Sequence, residues 1–242
     1  MLKYKILTLT QEFDGHTSAI HPVMFYTDSD LILCDAGYPG QTEQIKTELN
    51  KYGFSASEIT KTVITHYDHD HLGSLCRLKE ENKNITVISS GIEAPFIQGF
   101  KKSLRLIQAE EYIKILTGKE LEFGIKFANY LATIEPCKVD LTVTDGDYII
   151  PGLRVIHTPG HTPGHISLFC EESSTLIAGD AIAAENKRLM VANPEYTLDL
   201  NTCLKSIEKI IALAPEKIIC YHGGLIEDDI KNQLENILLE YR

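Results

Sequence analysis

The sequence predicts an α/β (α+β) fold arranged as a four-layer αββα sandwich, and three observations lead there. Two successive rounds of short β-branched segments each give way to runs with helical spacing. Hydrophobic residues make up 43% of 242 residues, enough to bury a sizeable core without disulfides or structural metals. No Gly/Ser/Pro-rich linker, charge block or short repeat interrupts the chain, so residues 1–242 read as one domain. Periodicity alone reaches only a generic α/β or α+β class. Pairing two sheets face to face follows because every apolar face needs a covering layer.

The elements follow in chain order. Lys5 to Leu9, Pro22 to Thr27 and Leu31 to Asp35 read as strands, with Asp28-Ser29-Asp30 as the turn joining the last two. Ile45, Leu49 and Tyr52 then recur at helical spacing until Gly53 stops the run. Lys61 to Thr65 is a strand that ends at a dense group of His and Asp. Ile85 to Ser89 and Leu141 to Thr144 are further strands. Between them Glu93 to Ala132 carries apolar residues at helical intervals, a helical insertion at about 91–135. Leu153 to His157, Ile166 to Cys170 and Thr175 to Ala178 form the second run of strands. Helix (Asn201 to Leu213), strand (Lys217 to Cys220) and helix (Ile226 to Tyr241) complete the pattern.

Composition narrows the function. A formal net charge of -11 disfavours binding to a phosphate backbone, which depends on Lys and Arg. No nucleic-acid partner is expected, and a small-molecule substrate is. Met1 to Leu7 alternates charged and apolar residues, and no stretch reaches membrane-spanning length, so the expected location is cytoplasmic, away from membranes. Cys34, Cys76, Cys137, Cys170, Cys203 and Cys220 form no C-x-x-C pair and read as small hydrophobes. Neither a Gly-x-Ser-x-Gly elbow nor a Gly-x-x-x-x-Gly-Lys phosphate loop is present.

The chemistry concentrates in Thr65-His66-Tyr67-Asp68-His69-Asp70-His71-Leu72-Gly73. Carboxylates packed this closely repel one another, and a divalent cation removes that penalty. Three later positions supply what a metal cage would still lack. They are His161 in Pro159-Gly160-His161, Asp180 in Gly179-Asp180, and His222 in Tyr221-His222-Gly223. Glycine beside a ligand lets the backbone approach closely.

Taken in order, His-x-x-x-Asp-His, Pro-Gly-His, Gly-Asp and a late His-Gly resemble the metallo-β-lactamase superfamily. The resemblance extends from the strand end Asp35-Ala36-Gly37 to the helix after His222. It implies that His66, Asp68 and His161 hold a first ion, that Asp70, His71 and His222 hold a second, and that Asp180 bridges the two. One departure stands out. The family pattern His-x-His-x-Asp-His has Asp68 at its second His, while His69 sits at the variable position. An alternating register turns His69 away from His66, Asp68 and Asp70, which favours Asp68 and leaves His69 as the alternative ligand.

The substitution changes the charge count. The charge of two divalent ions is then balanced by Asp68, Asp70, Asp180 and a bridging hydroxide, whereas a second His would leave one positive charge over. Such a site polarises water less and accepts harder ions. Zinc is the first expectation, with iron and manganese as alternatives. The resemblance implies a metal-bridged hydroxide attacking an ester, thioester or lactone-type carbonyl, with Asp70 orienting the nucleophile as the catalytic carboxylate. His165 is placed as a partner behind the ligands or as a turn residue.

Competing readings are a di-iron redox protein resembling the flavodiiron core, a metallo-nuclease or phosphodiesterase, and a non-catalytic metal-binding module. The first would lack its flavin domain, since only 20 residues follow His222. Lys101, Lys102 and Arg105 read as a solvated helix face. Phe96, Phe100, Tyr112, Phe123, Phe127 and Tyr130 read as ordinary core or as an acyl pocket, and Tyr67 and Tyr196 as residues that hydrogen-bond substrate. The sequence leaves the substrate and oligomeric state open.

Overall fold

The structure, a computed structural model, describes residues 2–13 and 16–241. Strand β1 (Lys3–Ile6) leads into a separate hairpin, β2 (Leu9–Phe13) and β3 (His16–Ile20), before β4 (Val23–Tyr26) and β5 (Leu31–Cys34). After α1 (Thr42–Asn50) come β6 (Lys61–Val63), α2 (His69–Leu72), α3 (Leu75–Glu81) and β7 (Thr86–Ser90). Helices α4 (Ala94–Ile97), α5 (Leu104–Ile113) and α6 (Gly118–Ala132) precede β8 (Leu141–Val143). The first sheet runs β1-β4-β5-β6-β7-β8, antiparallel up to β5 and parallel beyond it.

The second half repeats the plan. Strands β9 (Tyr148–Ile150), β10 (Leu153–His157), β11 (Ile166–Cys170) and β12 (Thr175–Ile177) form an antiparallel run. A small hairpin, β13 (Ala183–Glu185) and β14 (Arg188–Met190), and α7 (Leu200–Leu213) follow. Then β15 (Lys217–Cys220) joins β12 in parallel, β16 (Gly224–Ile226) closes that edge, and α8 (Ile230–Tyr241) ends the fold.

Period-two alternation decides the layers. Along β5, Ile32 and Cys34 point into the core shared by the two sheets, while Leu33 points outward under α1 with Ile45 and Leu49. Along β15, Ile219 joins the inter-sheet core, while Ile218 and Cys220 face α7 and α8. The central strands are thus buried on both faces, as the αββα arrangement requires. Helix α7 supplies its layer because Cys203, Leu204, Ile207 and Ile210 share one face, and Asp199 caps its start by accepting from the Thr202 N–H. Full burial of each Ile contributes roughly 1.5–3 kcal/mol.

Some expectations shift. Lys5 to Leu9 is split, because the chain leaves the first sheet after Ile6 to make the separate hairpin. Ile226 lies in β16, and the last helix begins only at Ile230. Strands β2, β3, β9, β13, β14 and β16 and helix α3 are additional to the elements expected from the sequence. All six cysteines are free, five of them buried and Cys76 half-buried. No helix among the described residues is long and apolar enough to cross a membrane.

Candidate metal centre

Parallel pairing sets the position of the site. Strands β5, β6 and β7 end at one edge of the first sheet, and β12 and β15 end together in the second, so the loops that follow them converge. Each carries acidic or imidazole groups: Asp35 after β5, His66 to His71 after β6, Glu93 after β7, Asp180 after β12 and His222 after β15. His161 comes from the turn between β10 and β11.

All seven residues named from the sequence meet there, in three mutually close sets of ligand atoms. These are His66, Asp68 and His161; Asp70, His71 and His222; and His66, His71 and Asp180, each set within 4.8 Å. Asp68 Oδ2 lies 3.1 Å from His161 Nε2 and 3.6 Å from His66 Nε2. Asp70 Oδ2 lies 3.2 Å from His222 Nε2 and 3.9 Å from His71 Nε2. Asp180 joins the two groups, with Oδ1 3.3 Å from His71 and Oδ2 3.5 Å from both His161 and His222.

Asp68, not His69, faces His66 and His161, for a reason other than strand alternation. The chain has already turned helical. Asp68 is the N-cap of α2, and its carbonyl accepts from the His71 and Leu72 N–H groups. His69, at the first helical position, points into an aromatic cage of Tyr38, Phe127 and Tyr130.

Among the described residues, buried polar atoms without a hydrogen-bond partner gather here. They include His66 Nε2, Asp68 Oδ1, His71 Nε2 and Asp180 Oδ1. Buried polar atoms are ordinarily satisfied, so this cluster of lone pairs fits cations. The protonation pattern agrees. Although burial opposes it, Asp180 and Asp70 raise the His222 pKa to about 10, and Asp180, Asp35 and Asp70 raise that of His71 well above the ordinary imidazole value. These protons hold places that metal ions would take.

Behind the ligands stands a set of supporting residues, of which the sequence pointed only to His165 in such a role. Asp35 Oδ2 accepts from His71 Nδ1–H at 2.9 Å, which turns Nε2 toward the centre, and Asp35 Oδ1 accepts from the Thr65 N–H at 2.8 Å. Tyr221 stacks on His71 and donates its hydroxyl to the Asp70 carbonyl. His165 sits behind the centre: its Nε2 accepts from the Asp180 N–H at 2.9 Å, and its Nδ1 pairs with Thr158 Oγ1. Gly179 makes this approach possible. Its φ is +54°, and a Cβ there would lie 2.6 Å from His165 Nε2.

Glu93 ties the two halves of the first ligand set together. One carboxylate oxygen accepts from the Tyr67 N–H, and the other from Thr162 Oγ1 and the Gly164 N–H. Burial, opposed by those hydrogen bonds, pushes its pKa up to about 7. The folded protein therefore holds a proton on Glu93 that the unfolded chain releases near its ordinary carboxylate value. Stability is lost as pH rises through that interval, and the loss is complete above about 7. In metal-free protein this contribution is on the order of 3 kcal/mol. Urea unfolding between pH 5 and pH 8 should show it as a difference between wild type and Glu93→Gln, whose own profile lacks the fall. Equal slopes in the two proteins would remove Glu93 as its source.

Arg105 departs most from expectation. It is 4% exposed, and its Nη2 and Nε donate to Asp68 Oδ2 at 2.8 and 3.2 Å. Lys101 and Lys102 do lie at the surface, but the third basic residue turns inward and pairs with a predicted ligand. It also returns the positive charge that replacing His by Asp68 removes, which overturns the neutral count made from the sequence.

Beyond Arg105 opens a cavity of about 690 Å3 between α5, α6 and the segment around Tyr196, lined by Tyr112, Leu116, Phe123 and Phe127 among others. Tyr112, Phe123 and Phe127 thus belong to a pocket. Phe96 instead packs on Tyr67 beneath the site, Phe100 is exposed, and Tyr130 contacts His69. Tyr67 is buried, while Tyr196 lies 4.9 Å from the Arg105 guanidinium.

Comparison with known proteins agrees with this geometry. A family model described as the metallo-beta-lactamase superfamily matches residues 19–222. YflN of Bacillus subtilis, named as a probable metallo-hydrolase, is 28% identical over 79% of this chain and 75% of its own. YobT of the same organism is 31% identical, with 86% of each chain covered. The crystal structure of the metallo-beta-lactamase family protein TTHA1429 from Thermus thermophilus superposes with a TM-score of 0.75 at 20% identity, covering 98% of this chain and 79% of that one.

Proposed function

The chain belongs to the metallo-beta-lactamase superfamily and is a metal-dependent hydrolase of it, and from this premise we propose that it cleaves an ester, thioester or lactone-type carbonyl bearing an apolar acyl group. The observation that carries the reading is a cluster of unpartnered imidazole and carboxylate atoms joined, through the Arg105–Asp68 pair, to a largely apolar cavity that Arg105 helps to line. His66, Asp68 and His161 would hold one ion, Asp70, His71 and His222 the other, and Asp180 both. Two divalent ions supply there a lowered water pKa and a positive field for the oxyanion.

The protein's own groups do the rest. Asp35 and Tyr221 hold the His71 ring, and His165 holds the Asp180 backbone, so the donors are preorganised. Asp70, buried and 3.2 Å from His222, would accept a proton from the attacking water and deliver it to the leaving group. Tyr112, Phe123 and Phe127 offer apolar surface to an acyl chain. Zinc remains the first choice of metal, with iron or manganese as alternatives suited to the oxygen donor Asp68. In this reading residues 1–242 act as one cytoplasmic domain, with the helices of the 91–135 stretch facing a small-molecule substrate.

The test is a panel of lactones, thioesters, phosphodiesters and β-lactams, offered to protein reconstituted with zinc, manganese or iron. Close to two ions per chain is expected, with kcat/KM rising along an acyl series. Phe127→Ala should raise KM for long chains roughly ten-fold and leave short ones unchanged, as loss of a buried aromatic contact implies. Turnover of phosphodiesters alone, or activity indifferent to chelation, would reject the proposal.

A further inference from the structure

Resting on the two-ion reading above, we infer that Arg105 governs the first metal site: it weakens binding of the first ion by neutralising Asp68 and standing against that site's donors. Its Nη2 is 2.8 Å from Asp68 Oδ2 and 3.4 Å from His161 Nε2, two of the three groups that would hold this ion. No comparable cation touches Asp70 or Asp180 among the ion pairs of the described residues, where the partners are imidazoles. The two ion sites are therefore electrostatically unequal.

Two further groups hold the guanidinium in place. Nη1 donates to Gln108 Oε1 at 2.8 Å, and the Tyr196 ring lies 4.9 Å from its central carbon. With only 4% of its surface exposed, this planar cation acts on Asp68 with less screening than a surface charge would. Helix α5 carries both Arg105 and part of the cavity lining. Asp68 and Arg105 together carry the charge of the single neutral imidazole found at this position in the family pattern. Removing Arg105 should therefore offset the loss of the Asp68 carboxylate.

The experiment isolates the first site in a His222→Ala background, which leaves His66, Asp68 and His161 intact. Zinc affinity is measured by competition with a chromophoric chelator, and stoichiometry by elemental mass spectrometry. Adding Arg105→Met should tighten this ion roughly ten- to a thousand-fold, the range for removing a unit charge a few ångströms away in a partly screened interior. Arg105→Gln, equally neutral, serves if the Met variant does not fold, and Arg105→Lys, which retains the charge, should change the affinity least. Asp68→His alone should bind the ion more weakly, and Asp68→His with Arg105→Met should recover affinity. Unchanged or weaker binding in the folded neutral variants Arg105→Met or Arg105→Gln, with one ion still bound, would overturn this inference and leave the hydrolase reading intact. Failure of wild type to bind any ion would overturn both.

Discussion

Asp180→Asn is expected to bring ion content from near two per chain to one or fewer and to lower kcat/KM by at least roughly 10³-fold, the scale of losing a principal electrostatic stabiliser of the transition state. Asp180 is the single carboxylate among the described residues within 3.5 Å of imidazoles from both ligand sets, through His161, His71 and His222. Although burial opposes it, His222 and His71 keep its acid well below the ordinary carboxylate range, so it stands as an anion. Asparagine preserves its shape and its N–H bond to His165, which confines the change to charge and ligation. Elemental analysis with steady-state kinetics on the best substrate of the panel tests it. Two ions and undiminished turnover in this variant would remove Asp180 from the centre.

Asp35→Ala is expected to destabilise metal-free protein by about 3–5 kcal/mol, because it strips a buried charged partner from His71 and an acceptor from the Thr65 N–H. Loaded protein should bind its second ion roughly 10–100-fold more weakly, since the His71 ring loses the hydrogen bond that selects its tautomer. Alanine is further disfavoured by the backbone at this position, whose φ is 62°. Asp35→Asn keeps an acceptor and tolerates that conformation, so it should recover part of both losses. Chelator-treated urea unfolding and metal competition give the two readouts. An alanine variant as stable as wild type would show that the pair contributes nothing net.

The ligands themselves were legible because they carry local signals: five His and Asp in six residues, and Gly beside each later ligand. Of their supporting residues only His165 was. Asp35 reaches His71 across 36 positions, Arg105 reaches Asp68 across 37, and Glu93 reaches Gly164 across 71. No spacing rule spans such distances, and each residue has an ordinary local explanation. Asp35 ends a strand, Glu93 precedes a helix, and Arg105 sits beside two exposed lysines. Asp68 was preferred over His69 on strand alternation, yet the geometry that selects it is an N-cap followed by one helical turn.

What the amino-acid order determined alone was the layering and the identity of the converging groups. Period-two and helical patterns specify which faces must be buried, and His and Asp at strand ends identify themselves by residue type and neighbours. What only the packed molecule decided was which of two adjacent side chains faces the ions, which partners orient them, and the net charge of the first site. Those properties depend on pairings between strand ends brought together by sheet order, and electrostatic energy depends on separation in space rather than along the chain.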